Sequence, residues 1–232
     1  MTAYLFETPE VVSVPVIGED KEYPIHRVFC VGQNYAAHAA EMGSTADTEA
    51  PFYFTKQLHS VVMSGQEFPY PPGTENYHFE MELAFTINKP LFRCSALEAA
   101  SAIYSYGCAL DMTRRDLQTA AKDKKRPWDV AKDVENAAVI AAQTKASDYG
   151  AISNQRIWLS VNGEVRQDSD LSDMVHSCTD ILCDLSKFYH LKSGDIILTG
   201  TPAGVGAVAV GDDIHGEIDG LEPVQLKIGP AD

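Results

Sequence analysis

Apolar and polar positions alternate with a period of two in several short blocks of the chain, the spacing of half-buried strands. Val11 to Val16, Arg27 to Val31, Phe52 to Lys56, Glu80 to Ile87 and Asp195 to Thr199 read as strands. Gly107 to Asp111 reads as the end of a buried strand. Ile157 to Val161 and Glu164 to Gln167 flank Asn162-Gly163, the signal of a hairpin with a type I′ turn. Helical spacing covers Tyr35 to Met42, with Asn34 as N-cap and Gly43 as C-cap. It covers Ser95 to Ser101, where Ser95 and Glu98 form a capping box. Asp116 to Lys124 is a third helix, and Leu171 to Phe188 is predicted to be the longest. Three prolines make Pro69 to Gly73 a loop. Glycine-rich turns separate short strands up to Ile228. These elements predict one α+β domain with a mixed sheet and peripheral helices, residues 27–232, preceded by a short strand segment, residues 1–26.

Composition narrows the functions open to such a fold. Of 232 residues, 45% are hydrophobic and 22% charged, enough to bury an ordinary core. No apolar run is long enough to cross a membrane as a helix. The net charge of −15 speaks against nucleic acid or anionic membranes as partners. It also means that an anionic substrate needs a metal or a local group of Lys and Arg to offset the field. The five cysteines are odd in number and lack a Cys-x-x-Cys. With no basic, apolar leader at the N-terminus, they predict reduced thiols and a cytoplasmic location.

Several constellations could carry chemistry. In His78-Phe79-Glu80-Met81-Glu82, residues two apart share a strand face, so Glu80 and Glu82 aim two carboxylates at one spot. A hard divalent cation relieves their repulsion, although a solvated strand face shows the same alternation. Asp111 closes a buried strand, either as a third carboxylate or as the cap of the helix that follows. Arg114, Arg115 and Gln118 then gather donors suited to a carboxylate or keto oxygen. His38 and Glu41, three apart on a helix, form a potential general-base pair or plain surface polarity. Lys132, among apolar residues, could stabilise an oxyanion. Gly204-x-Gly206-x-x-Ala209 fits the loose dinucleotide fingerprint, but no phosphate-capping helix follows it. A turn whose backbone N–H groups approach a ligand is the better reading. The absence of Gly-x-Ser-x-Gly counts against a serine hydrolase.

Taken together, Gly32-Gln33-Asn34-Tyr35-x-x-His38-x-x-Glu41, Tyr70 to Asn76, His78-x-Glu80-x-Glu82, Asp111 to Gln118, Trp128 to Lys132 and Gly200 to Gly206 resemble the fumarylacetoacetate hydrolase family. The likeness runs from about Val28 to the C-terminus and is greatest to its acylpyruvase group. It implies a β-roll, a homodimer and one Mg²⁺ or Mn²⁺ per subunit. It further implies that Glu80, Glu82 and Asp111 hold the metal and that His38 and Glu41 form a dyad on a lid. Lys132, Arg115, Gln118 and Thr201 match substrate-contacting positions. The implied reaction is metal-dependent hydrolysis of an acylpyruvate C–C bond. Fumarylpyruvate would give fumarate and pyruvate, a step of gentisate breakdown. Oxaloacetate decarboxylation or keto–enol isomerisation on the same site is the alternative. Two positions depart from the family pattern: Gln33 stands where Arg is usual and Gln57 where Pro is usual. Phe79 replaces a frequent second His but should face away from the metal.

Overall fold

The computed structural model describes residues 3–231. Its main sheet runs, in spatial order, Phe52–Lys56, Arg27–Gly32, Asp195–Leu198, Met81–Ile87, Ile103–Asp111, Ala138–Ile140 and Val61–Met63, with Thr144–Lys145 paired off Ile103–Asp111. A second sheet runs Glu164–Asp170, Arg156–Val161, Asp213–Ile218, Val224–Gly229 and Gln66–Pro69. Most pairs are antiparallel, but Asp195–Leu198 runs parallel to Arg27–Gly32, Ala138–Ile140 to Val61–Met63 and Val224–Gly229 to Gln66–Pro69. The sheets are therefore mixed, as expected of the α+β class. Alternation sorts the main sheet into two faces. Leu83, Phe85, Cys108 and Leu110 enter the larger core, while Ala84, Ala109, Ile196 and Leu198 enter a smaller one. Glu82 and Asp111 fall on the second face, because each lies two residues from an alanine of that face.

Several elements form for the reasons the sequence supplies. Ser95 caps Ala96–Ala102 in a complete capping box. Asn162 and Gly163 both adopt positive φ, 53° and 81°, as a type I′ turn requires. The helix Ala36–Glu41 ends with Gly43 at φ 71°. Gly43 N–H donates to Ala40 O and Ser44 N–H to Ala39 O, the double bond pattern of a Schellman end. Others differ. Asn34 does not cap this helix; Tyr35 precedes it. The Asn34 amide instead donates to His176 O and Thr199 O and accepts from His176 N–H. Leu171 to Phe188 is not one helix but a turn of 3-10 helix, Leu171–Asp173, and a short α-helix, Cys178–Leu185. Asp170 and Ser177 each make their own capping box, so the chain restarts between them. Val11 to Val16 contributes a strand only at Ser13–Val14, paired with Tyr23–Pro24. All five cysteines are free.

Candidate active site

Glu80 sits at the joint between Tyr77–Phe79 and Met81–Ile87, and its carbonyl accepts from Asp111 N–H at 2.9 Å. That pairing sets the two carboxylate-bearing segments side by side. Glu80, Glu82 and Asp111, all buried, each present an oxygen within 4.8 Å of the others. Asp111 is thus no helix cap; Arg114 precedes the helix Arg115–Asp123. Phe79 is buried in the larger core, away from this cluster. Burial first, then the charges of Asp111 and Glu80, push the Glu82 carboxyl well above its usual range. Three carboxylate groups packed this closely suit a hard divalent cation, which would offset the burial and crowding at Glu82.

Three buried cations surround the trio. Lys132 Nζ lies 2.6 Å from both Glu80 Oε2 and Asp111 Oδ2. Burial alone would lower its pKa, but Asp111 and Glu80 outweigh burial and push it up to about 12. Lys132 therefore stays a cation and is unsuited to be a base. Arg115 pairs with Glu80 Oε1, donates to Gln118 Oε1 at 2.6 Å and reaches His78 Nδ1 at 3.4 Å. The Glu80 carboxyl, which burial would raise, is held well below its usual range by Lys132 and Arg115. Sequence reasoning missed the third cation. Lys56, with a fully buried side chain, sits 2.9 Å from Asp111 Oδ1 and donates to the carbonyls of Met112 and Lys132. Only the strand ending FYFTK pointed to it, and there a terminal Lys reads as solvated.

The opposite wall is short helix and loop. His38 Nδ1 is 3.1 Å from Glu41 Oε2. A carboxylate can only accept, so Nδ1 carries the hydrogen and Nε2 keeps its lone pair. Burial lowers the His38 pKa against the opposing pull of Glu80 and Glu41. Glu41 in turn accepts from Gly204 N–H at 3.1 Å. Gly204 has φ 97°, and an added Cβ there would fall 2.1 Å from Arg166 O, so only glycine fits. The same loop binds Glu82 through Gly200 N–H at 2.8 Å. It is not a dinucleotide loop but a brace between the carboxylates and the dyad.

One cavity joins these walls. His38, Glu80, Glu82, Arg115, Gln118, Lys132 and Thr201 all line it, so most residues singled out from the sequence converge there. Asp111 lies behind Glu80 and Glu82, and Glu41 stands outside the lining, in contact with His38. Val31, Gly32, Gln33, Met42, Phe54, Lys122 and Trp128 complete the lining. Arg115, Gln118 and Lys122 follow i, i+3, i+7 spacing along one helix face. Lys122 Nζ stands 4.9 Å from the Trp128 ring centre, and no carboxylate pairs with it among the described residues. Gln33 is left-handed, at φ 60°. Gln57 N–H donates to Asp133 Oδ1 at 2.8 Å, a bond that proline could not make, and so ties the strand of Lys56 to the segment of Lys132.

Comparison with known proteins adds independent findings. The model of the fumarylacetoacetate (FAA) hydrolase C-terminal family matches residues 27–228. A fumarylpyruvate hydrolase of Ralstonia sp is 46% identical over 197 residues, covering 82% of this chain and all of that protein. An oxaloacetate tautomerase of Escherichia coli is 39% identical over 200 residues, 86% of this chain and 91% of that one. Among solved structures, a fumarylpyruvate hydrolase from Pseudomonas aeruginosa in complex with Mn²⁺ and pyruvate superposes with a TM-score of 0.94. It is 40% identical, over 98% of this chain and 100% of that one.

Proposed function

We infer, for a chain that belongs to the fumarylacetoacetate hydrolase family, a metal-dependent hydrolase that cleaves the C–C bond of an acylpyruvate. Fumarylpyruvate, split to fumarate and pyruvate as in gentisate degradation, is the substrate we propose. The observation that carries this reading is the His38–Glu41 pair facing the Glu80, Glu82, Asp111 trio across one cavity. A base held opposite a metal-binding wall suits the activation of water against a ligand anchored at that wall.

Glu80, Glu82 and Asp111 would hold one Mg²⁺ or Mn²⁺. When bound, such a cation supplies Lewis-acid polarisation of the 2-oxo-acid end of the substrate. Arg115, Gln118 and Thr201 orient the oxygens of that end. His38 Nε2 takes a proton from the water that adds to the far carbonyl, and Glu41 stabilises the imidazolium that forms. Collapse of the adduct breaks the C–C bond; fumarate leaves as the acid and pyruvate as its enolate, and the imidazolium returns its proton to the enolate carbon. Lys132 spends two of its three N–H groups on Glu80 and Asp111, and the third serves the oxyanion at the attacked carbonyl. Charge arithmetic supports a dicarboxylate. Three buried acids and three buried cations cancel, so a divalent metal leaves an excess of two positive charges for a dianionic ligand. Lys122 stands ready for the distal carboxylate, and the Phe54–Trp128 wall for a flat unsaturated chain.

The proposal includes residues 1–26 as an adjunct to the catalytic unit 27–232, a cytoplasmic location and a homodimer. No helix among the described residues is long and apolar enough to cross a membrane. Phe52, 46% exposed, and Val130, 67% exposed, offer apolar surface to a second copy. The oxaloacetate tautomerase relatives favour a second reading, enolisation on the same site. A substrate panel separates the two. Fumarylpyruvate, maleylpyruvate, acetylpyruvate and oxaloacetate are supplied with Mg²⁺, and enol absorbance and pyruvate release are followed. Fumarylpyruvate is expected to give the highest kcat/KM. Enolisation of oxaloacetate with no acylpyruvate cleavage would replace the first reading by the second.

A further inference from the structure

Gln167 lies on Glu164–Asp170 where the hairpin bulges. Leu159 pairs with Gln167 and Ser160 with Val165, which leaves Arg166 as the extra residue. A bulge re-aims a side chain, and this one is fully buried. Its amide makes three hydrogen bonds. Oε1 accepts from Met81 N–H at 2.9 Å. Nε2 donates to Pro202 O and to Thr201 Oγ1, both at 2.8 Å.

Two of these partners have a fixed character. Met81 N–H can only donate, and the Pro202 carbonyl can only accept. A flipped amide would set donor against donor and acceptor against acceptor. The Gln167 orientation is therefore forced, and its amide must donate to Thr201. The Thr201 hydroxyl then accepts one hydrogen and still has its own to place. It makes no other hydrogen bond among the described residues, and it lines the cavity with His38, Glu80, Arg115 and Lys132. A buried donor without an acceptor is unfavourable, and a ligand oxygen removes the penalty.

We propose that Gln167 is a positioning residue that makes Thr201 an obligatory hydrogen-bond donor to an oxygen of the bound 2-oxo acid. The inference rests on reading the cavity as a 2-oxo-acid site. Through Met81 the same amide holds the backbone between Glu80 and Glu82. One side chain from the second sheet thus registers the carboxylates against the hydroxyl.

Gln167→Glu tests it. The variant keeps an acceptor for Met81 but turns an acceptor toward Thr201, so the hydroxyl points back at position 167 and leaves the cavity. On Mn²⁺-loaded enzyme, calorimetry with oxalate should show affinity falling about tenfold or more, the scale of a hydrogen bond to a charged group. KM for fumarylpyruvate should rise in step, with kcat changing less. Thr201→Val should give the same loss, the double variant no further loss, and Thr201→Ser near-normal affinity. Additive losses, or unchanged oxalate affinity in either single variant, overturn the proposal. If Gln167→Glu does not fold, a neutron structure of deuterated wild-type enzyme decides. A Thr201 deuteron on the cavity side supports the proposal, and one aimed at Pro202 or Gln167 refutes it. Oxalate binding needs no turnover, so coupling in an enzyme that cleaves no acylpyruvate would sink the reaction assigned and leave the hydroxyl's role intact.

Discussion

The two walls of the cavity are built to different standards. Glu82 and Asp111 stand on Met81–Ile87 and Ile103–Asp111, central strands whose side chains are almost all buried and which pair with each other along their length. His38 and Glu41 stand on a helix of 6 residues, too short to persist without tertiary support. Behind it, residues 43–50 bury no side chain. That segment is held by Asp47, whose carboxylate accepts from Glu49 and Ala50 N–H, and by His176 on Asp47 O. The carboxylate wall is thus positioned by the same contacts that fold the protein. The dyad wall is positioned by a few hydrogen bonds, each of modest strength, some within the segment and some from Gly204 and His176 far along the chain. A pocket divided this way can keep its three carboxylates in place while the His38–Glu41 pair moves.

The sharpest way to break the comparison is to remove the floor. Chelation should abolish turnover, and Mg²⁺ or Mn²⁺ should restore it. Glu82→Ala should lower kcat/KM more than about a hundredfold, beyond the usual effect of an outer-shell partner, and weaken Mn²⁺ binding measured by calorimetry. Full activity in a metal-free sample would remove the metal assignment. Next, His38→Ala should cut kcat by roughly 10²–10⁴, the range of a general base, and leave oxalate affinity nearly unchanged. The pH profile sharpens this. Burial depresses the His38 pKa below its ordinary 6.5. The base is then free above that depressed value and is lost to protonation as pH falls through it, so the acid limb of kcat/KM should lie below pH 6.5. A limb above 6.5 would assign the titration to another group.

The smallest effect belongs to the segment behind the dyad. Asp47→Ala removes two backbone bonds and should change kcat/KM only a few-fold, at about 1 kcal/mol. Hydrogen exchange should show residues 38–50 slowing when Mn²⁺ and oxalate bind, while Met81–Ile87 stays protected throughout. Equal protection of residues 38–50 in both states would mean that the dyad is preassembled, and the contrast between the walls would be one of construction only.

The same contrast governs how much could be read from the residues alone. Glu80-x-Glu82, the Ser95 capping box and the Asn162-Gly163 turn are local patterns, and local physics suffices for them. Leu171 to Phe188 keeps a helical hydrophobic period throughout, but a cap inside it restarts the chain. Ser177-x-x-Asp180 was a visible restart signal. Asn34 failed as a cap because its amide is spent on Thr199 and His176, partners far along the chain. Lys56 and Gln167 were invisible for a related reason. Each is a single polar residue in an ordinary strand, and only long-range pairing buries it. The convergence of His38, Arg115, Lys132 and Thr201 could be written down only through the family likeness, since no spacing in the chain brings them together.

The loop from Gly200 to Gly206 carries a consequence for how such an enzyme changes over generations. Gly200 N–H grips Glu82, Thr201 lines the cavity, Pro202 anchors Gln167 and Gly204 N–H grips Glu41. A substitution that retunes one of these tasks disturbs the rest, so the loop is pleiotropic and has little room for gradual drift. Gln33, Met42, Lys122 and Trp128 share the cavity without sharing that duty. Selection for a new acyl group, natural or in the laboratory, has its freedom there, and variant libraries aimed at altered substrate range belong at those four positions.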